Sequence, residues 1–167
     1  MAEGLFYHRA LRCLTAERVR FVVVGGVAVN LQGVPRFTAD LDVAVALDGD
    51  TLQAAARALL GMGLVSRFPI QMEQLADIAT VQTWIDDRNL RALTYQDSEN
   101  PLRQVDLLVA TSVPYDEIER DAETMQSGDL EIRVASIDVL IRMKTGTGRA
   151  QDASDIDALR RVQELDR

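Results

Sequence analysis

Cysteine is nearly missing from this chain: Cys13 stands alone among 167 residues. An internal disulfide is thereby excluded, and a zinc cluster is implausible. Histidine is as scarce, and His8 sits in a helical stretch without a partner pattern, so no role is assigned to it. Long apolar runs are absent too. Nothing approaches the roughly 20 residues that a membrane span requires, and no signal peptide opens the chain. A soluble, cytoplasmic protein without membrane contact is the expectation. There is no repeat, no low-complexity tract and no linker rich in Pro, Gly or Ser. Positive charge is in short supply: 18 Lys and Arg against 26 Asp and Glu give a net charge of −8 and a pI near 4.6. That balance argues against a broad electrostatic grip on nucleic acid but leaves room for a local basic patch.

What is present is ordinary globular composition, 47% apolar and 26% charged. The length suits a single domain, 1–167, around one hydrophobic core. A helix is expected over about 4–18, where Phe6, Ala10, Cys13 and Leu14 recur at helical spacing and place Cys13 in the core. The β-branched run at 20–24 reads as a buried strand broken by Gly25-Gly26. A short helix at 28–31 and a strand at 41–47 follow. A helix over about 50–61 carries Leu52, Ala55, Ala56, Leu59 and Leu60 on one face and ends at Gly61-Met62-Gly63. Residues 70–78 suggest a further short helix, and Trp84 reads as core or interface.

Strands at 90–96 and 103–110, with Asn100-Pro101 between them, suggest a hairpin. Pro114 opens a helix to about 124, and Leu130 to Val134 reads as an edge strand. Ser136 caps a helix with Asp138 in its first turn, and a last helix covers 153–165. Helices and mixed strands in this order predict an α+β domain with helices packed on one sheet.

The acidic residues differ by position rather than number. Asp40 and Asp42 stand two apart as the chain enters the strand. Side chains at that spacing share a face, roughly 6.5–7 Å apart along the backbone. They can converge on a pair of Mg²⁺ ions about 3.5–4 Å apart, and hard oxygen ligands suit Mg²⁺. Two other Asp-x-Asp pairs exist, Asp48/Asp50 and Asp155/Asp157. Asp48/Asp50 lies in a polar turn before a helix and reads as a cap. Asp106 sits inside the apolar run Val105 to Val109, where an unpaired charge is costly. Its compensation is either a metal shared with Asp40 and Asp42, solvent at the strand end, or a salt bridge to an arginine such as Arg103.

Gly25-Gly26 lies between a strand and a short helix. Lacking Cβ atoms, the pair lets the backbone approach a ligand, and the following helix presents N–H groups that suit phosphate. Arg36, just before the aspartates, is either an exposed arginine or within reach of a phosphate.

Strand, Gly-Gly, short helix, Asp-x-Asp entering the next strand and a lone Asp in a later one: this combination resembles the polymerase-beta nucleotidyltransferase superfamily. It is most similar to the minimal bacterial branch of AbiEii-like and stand-alone enzymes. Val139 to Lys144, followed by Gly148 to Ile156, is similar to that family's Lys, Arg and Asp-x-x-Asp pattern, so the match spans roughly 20–160. The resemblance implies a palm-like mixed sheet and magnesium-dependent transfer of a nucleoside monophosphate from a triphosphate such as ATP.

Asp40, Asp42 and Asp106 would hold two Mg²⁺, with Mn²⁺ as a substitute. Gly25 and Gly26 would lie against the nucleotide, Lys144 would neutralise the triphosphate, and Arg149, Asp152 and Asp155 would shape the rim. Arg149, Asp152 and Asp155 stand three apart and can equally brace the last helix by local ion pairs. The acceptor would be a hydroxyl of tRNA, protein or a small molecule, and a cognate toxin or antitoxin partner is implied. Three departures stand out. Gly26 occupies a place where many members carry a serine whose hydroxyl meets a phosphate. The longer C-terminal region of AbiEii-like toxins is missing, and so is a HEPN partner domain. Two other readings compete with the enzyme: an inactive, antitoxin-like module that binds nucleotide or a partner, and a structural domain with salt-bridged aspartates.

Overall fold

The computed structural model describes residues 2–167, with side chains from Leu5 onward; Met1 of the expected 1–167 unit lies outside the described residues. In chain order the elements are α1 (Ala2–Ala16), β1 (Phe21–Val24), α2 (Gly25–Leu31), β2 (Asp40–Val45), α3 (Gly49–Gly61), β3 (Val65–Ser66), α4 (Met72–Ala76) and α5 (Ile78–Arg88). After these come β4 (Ala92–Gln96), β5 (Gln104–Leu108), α6 (Tyr115–Arg120), β6 (Glu123–Ser127), β7 (Leu130–Val134), α7 (Ile137–Lys144) and α8 (Ala150–Leu165).

The strands form one mixed sheet in the order β3-β4-β5-β2-β1-β7-β6. Its centre is where the sequence is most β-branched and apolar. Val22, Val23 and Val24 are completely buried in β1, as suits a strand covered on both faces. β1 runs antiparallel to β2, and β2 runs parallel to β5. Leu41 and Val43 of β2 and Val105 and Leu107 of β5 share the sheet's apolar face and are all fully buried. These four join Leu14, Leu52, Leu59, Leu140 and Leu159 in one contiguous hydrophobic cluster. The expected α+β architecture is therefore the observed one.

Several elements depart from the sequence expectation. The helix expected to run to about 124 ends at Arg120, and β6 follows. β6 pairs with β7 across a two-residue loop, Gly128-Asp129, with Gly128 at φ +64°. A glycine leading such a loop favours the tight hairpin turn that matches strand twist, so this signal was in the sequence. As a result β6 is the edge strand, and β7 is an interior strand between β1 and β6. His8 is tied to the same hairpin, its Nε2 lying 3.1 Å from the Ser127 carbonyl oxygen.

The short helix expected at 70–78 is α4, and a second helix that the sequence did not suggest, α5, follows it directly. Asp77 caps α5 by accepting from the Ala79 N–H, and Asn89 ends it in a left-handed conformation, an ordinary start and stop pair. α2 begins at Gly25 rather than Ala28. Leu60 is 45% exposed, so it lies off the buried face of α3. The expected caps at Asp48 and Ser136 both form, accepting from Thr51 and Val139 N–H. Cys13 and Trp84 pack, partly buried, against the cluster.

α3 and α4 meet at Gly49, where a Cβ would stand 2.6 Å from the Ala76 carbonyl oxygen and 3.0 Å from its Cα. Backbone cannot swing away as a flexible side chain does. Gly49→Ala is expected to lower the free energy of urea unfolding by about 1–3 kcal/mol. Gly61→Ala at the other end of α3, with nothing within 4 Å, is the control and should be neutral or slightly stabilising. Equal effects at both positions would contradict this packing.

Candidate active site

The site begins with strand register. β2 and β5 alternate alike: Leu41, Val43, Val105 and Leu107 point into the core, while Asp40, Asp42, Gln104 and Asp106 take the opposite face. Parallel pairing sets Asp42 beside Asp106 and Asp40 beside Gln104. Three carboxylates thus share one sheet face. Burial, then the Asp106 and Asp40 charges, push the Asp42 carboxyl up to about 7 against the weaker opposing pull of Lys144 and Arg149. Asp40 is raised as well, by burial and then by Asp106. Asp106 is partnered by hydrogen bonds rather than by a cation: Thr94 Oγ1 donates at 2.6 Å and Gln104 Nε2 at 3.1–3.2 Å. Arg103 instead pairs with Asp97 at 3.6 Å.

Antiparallel pairing of β1 with β2 brings Val24 opposite Asp42. The next residue, Gly25, therefore bends directly over that carboxylate. It has φ +65°, and a Cβ there would overlap the Asp42 side chain. Only glycine satisfies both demands.

Above the strand ends lies a cavity of about 580 Å³ lined by Gly25, Gly26, Asp40 and Asp42. Its opposite wall comes from α7 and α8 and includes Lys144, Arg149 and Asp152. Lys144 Nζ bonds Asp152 Oδ1 and Asp155 Oδ2, each at 2.9 Å, and is only 11% exposed. Asp155, 2% exposed, also takes Arg36 Nη1 at 2.9 Å and Gln151 Nε2 at 2.9 Å. Arg149 Nε reaches Asp152 Oδ2 at 2.9 Å, and Thr147 donates to the same oxygen at 2.7 Å. Burial alone would raise Asp152, but the bonds from Lys144 and Thr147 and the charges of Lys144 and Arg149 outweigh it and hold it below the ordinary carboxylate value. Three cations thus share two carboxylates and leave this wall positive, facing an acidic floor.

No family model matches the chain, and no curated protein matches it in sequence. Solved structures match it in fold. The lincosamide antibiotic adenylyltransferase LnuA, with lincomycin bound, superposes with a TM-score of 0.63 at 17% identity, covering 97% of this chain and 98% of that one. The antibiotic-resistance factor ANT(2'')-Ia gives 0.60 at 10% identity, covering 98% and 89%. An antigenic nucleotidyltransferase-like protein from Paracoccidioides brasiliensis gives 0.56 at 14% identity, covering 97% and 76%. The fold is the nucleotidyltransferase fold.

Within that fold the residues singled out in the sequence divide into three groups. Asp40, Asp42, Gly25 and Gly26 line the cavity together; Asp106 stands beside Asp42 on the sheet but is not among the lining residues. Lys144, Arg149 and Asp152 line the facing wall, with Asp155 buried behind them. Among the described residues, no three His, Cys, Asp or Glu side chains converge as a ready-made metal cage. The donors nonetheless fit Mg²⁺ chemically: they are hard oxygens, crowded and short of countercharge, and Mg²⁺ ordinarily completes its shell with water and substrate phosphate.

Arg36, which the sequence leaves open between the surface and a phosphate, also lines the cavity, as do Thr38 and Arg91, which the sequence reading does not assign to the site. The signal for two of them was spacing. Arg36 and Thr38 continue the step of two from Asp42 and Asp40, which keeps side chains on one face of an extended chain, and the intervening Phe37 is 81% exposed. Lys144 carried a further signal as the only lysine in the chain.

The raised Asp42 carboxyl has a pH consequence. It binds its proton more tightly folded than unfolded, so the stability it contributes is complete below about pH 4 and is lost as pH rises through about 7. In metal-free buffer at pH 8 the unfolding free energy of Asp42→Asn, read by urea denaturation, should exceed the parent's by on the order of a few kcal/mol. That advantage should fade toward pH 4. A difference independent of pH would show that Asp42 is not held in this crowded state.

Proposed function

We propose that this protein transfers a nucleoside monophosphate from a nucleoside triphosphate to a hydroxyl of an acceptor, with magnesium as cofactor. The observation that carries this reading is the cavity's division between an acidic floor, Asp40 and Asp42, and a cationic wall of Arg36, Lys144 and Arg149. A metal–triphosphate complex has the complementary division of charge.

Asp40 and Asp42, with Asp106 adjacent, are the residues that would hold the metal. Bound there, Mg²⁺ would offset phosphate charge and lower the pKa of the acceptor hydroxyl; Mn²⁺ accepts similar ligands. Gly25 and Gly26 line the cavity where the phosphates would lie, and their missing side chains make room for Asp42 and Thr38 there. Lys144 and Arg149 neutralise the departing pyrophosphate, and the buried Asp152 and Asp155 hold those cations in place. The acceptor oxygen bonds to the α-phosphorus while the bond from that phosphorus to the bridging oxygen breaks. Pyrophosphate takes the electron pair, and the hydroxyl proton leaves to solvent. The protein's contribution is positioning and electrostatic stabilisation.

For the acceptor we favour a small hydroxylated molecule over tRNA or protein. LnuA and ANT(2'')-Ia, an antibiotic adenylyltransferase and an antibiotic-resistance factor, match nearly the whole chain. The net charge of −8 also disfavours a large RNA surface.

Incubation with each labelled triphosphate, Mg²⁺ and a panel of small hydroxylated acceptors should release pyrophosphate and label one acceptor class. Asp40→Asn and Asp42→Asn should each cut that release by about a hundred-fold or more with an unchanged circular dichroism spectrum. Nucleotide binding without pyrophosphate release would favour a binding module instead. Parent-like rates in either variant would refute the roles given to these carboxylates.

A further inference from the structure

The two glycines of the bend lack side chains for different reasons. At Gly25 the vacant position is taken by Asp42. At Gly26 it is taken by Thr38: a Cβ there would stand 2.5 Å from Thr38 Oγ1, 2.8 Å from Thr38 Cβ and 3.1 Å from Arg36 Nη1. The hydroxyl that a serine at position 26 would bring into the cavity has no room, because another hydroxyl already fills that volume.

We infer that Thr38 supplies, through Oγ1, a hydroxyl contact to a phosphate of the bound nucleotide, in place of the side chain that position 26 cannot carry. The inference rests on the nucleotide-transfer reading above. Four observations support it. Thr38 lines the same cavity as Asp40 and Asp42. Among the described residues its hydroxyl donates to the Asp40 carbonyl oxygen alone, over a long 3.2 Å bond, so turning to a charged phosphate oxygen gives up little and gains a charge-assisted bond.

The segment is also anchored in advance, as a recognition group should be. Tyr7 Oη of α1 donates to the Thr38 carbonyl at 3.0 Å, Arg36 N–H donates to Asn30 Oδ1 at 3.0 Å, and the Arg36 guanidinium is held by Asp155. Finally, Arg36 Nη1 and Thr38 Oγ1 stand together over Gly26, a cation beside a neutral donor, which suits a phosphate oxygen.

The test is a hydroxyl swap read by calorimetric binding of inorganic tripolyphosphate with Mg²⁺, which needs neither the correct base nor the acceptor. Thr38→Val should weaken binding about ten-fold or more, and Thr38→Ser should recover most of it. Gly26→Ser alone should weaken binding through the clash with Thr38. Gly26→Ser combined with Thr38→Gly, which removes both the Thr38 hydroxyl and the Cβ that a side chain at 26 would meet and returns one hydroxyl, should bind more tightly than either Gly26→Ser or Thr38→Gly. Thermal unfolding of each variant separates misfolding from lost contact, and the swap remains decisive if Thr38→Val is unstable. Parent-like binding by a folded Thr38→Val, or a swap no tighter than its single variants, overturns the role of Thr38 and leaves the nucleotide reading intact. A parent that binds neither tripolyphosphate nor any of the four nucleoside triphosphates overturns both.

Discussion

Everything at the candidate site depends on β2 being paired on both sides, antiparallel to β1 and parallel to β5. The first pairing carries the end of β1, and so the diglycine bend, to the start of β2. The second sets Asp106 beside Asp42. Because side chains alternate strictly along a strand, the burial of Leu41, Val43, Val105 and Leu107 leaves the aspartates only the other face. A register slip of one residue would place carboxylates in the core and leucines in the cavity. The hydrophobic core therefore specifies the position of the acidic cluster.

That arrangement keeps like charges close without a neighbouring cation among them. The cost appears in the raised Asp42 and Asp40 carboxyls. The positive wall across the cavity is built in the opposite way, with its cations tied to Asp152 and Asp155. Buried ion pairs of this kind are weak contributors to stability but strong constraints on geometry. Asp155, on α8, binds both Arg36 and Lys144, so one carboxylate ties the segment before β2 to α7 within that wall.

Much of the architecture was legible in local signals. β-branched runs, caps at Asp48 and Ser136, and the apolar stripe of α3 mark the elements that form. The missed elements have physical reasons. β6 is exposed and polar, so it lacks the apolar alternation that marks a strand, and its hairpin is recognisable only from Gly128. α5 buries little besides Val81, which leaves its helical period faint. β7 looks like an edge because it alternates buried and exposed residues, yet its partner β6 shields only its rim. The placement within an AbiEii-like branch was carried by resemblance alone, and the superposed structures bear on the fold.

The sequence by itself determined which residues could form an acidic site: two aspartates a step of two apart at a strand entrance, a third in an apolar strand, and a glycine pair after another strand. These are local facts, written in spacing and in the cost of burying charge. Only the tertiary structure decided what each of them meets. Thr94 and Gln104 rather than Arg103 hold Asp106, Asp155 lies buried between two cations, and Thr38 fills the space beside Gly26. Apart from Gln104, which stands on the same strand as Asp106, these partners come from different segments of the chain, and packing selects among many partners that spacing alone treats as equal.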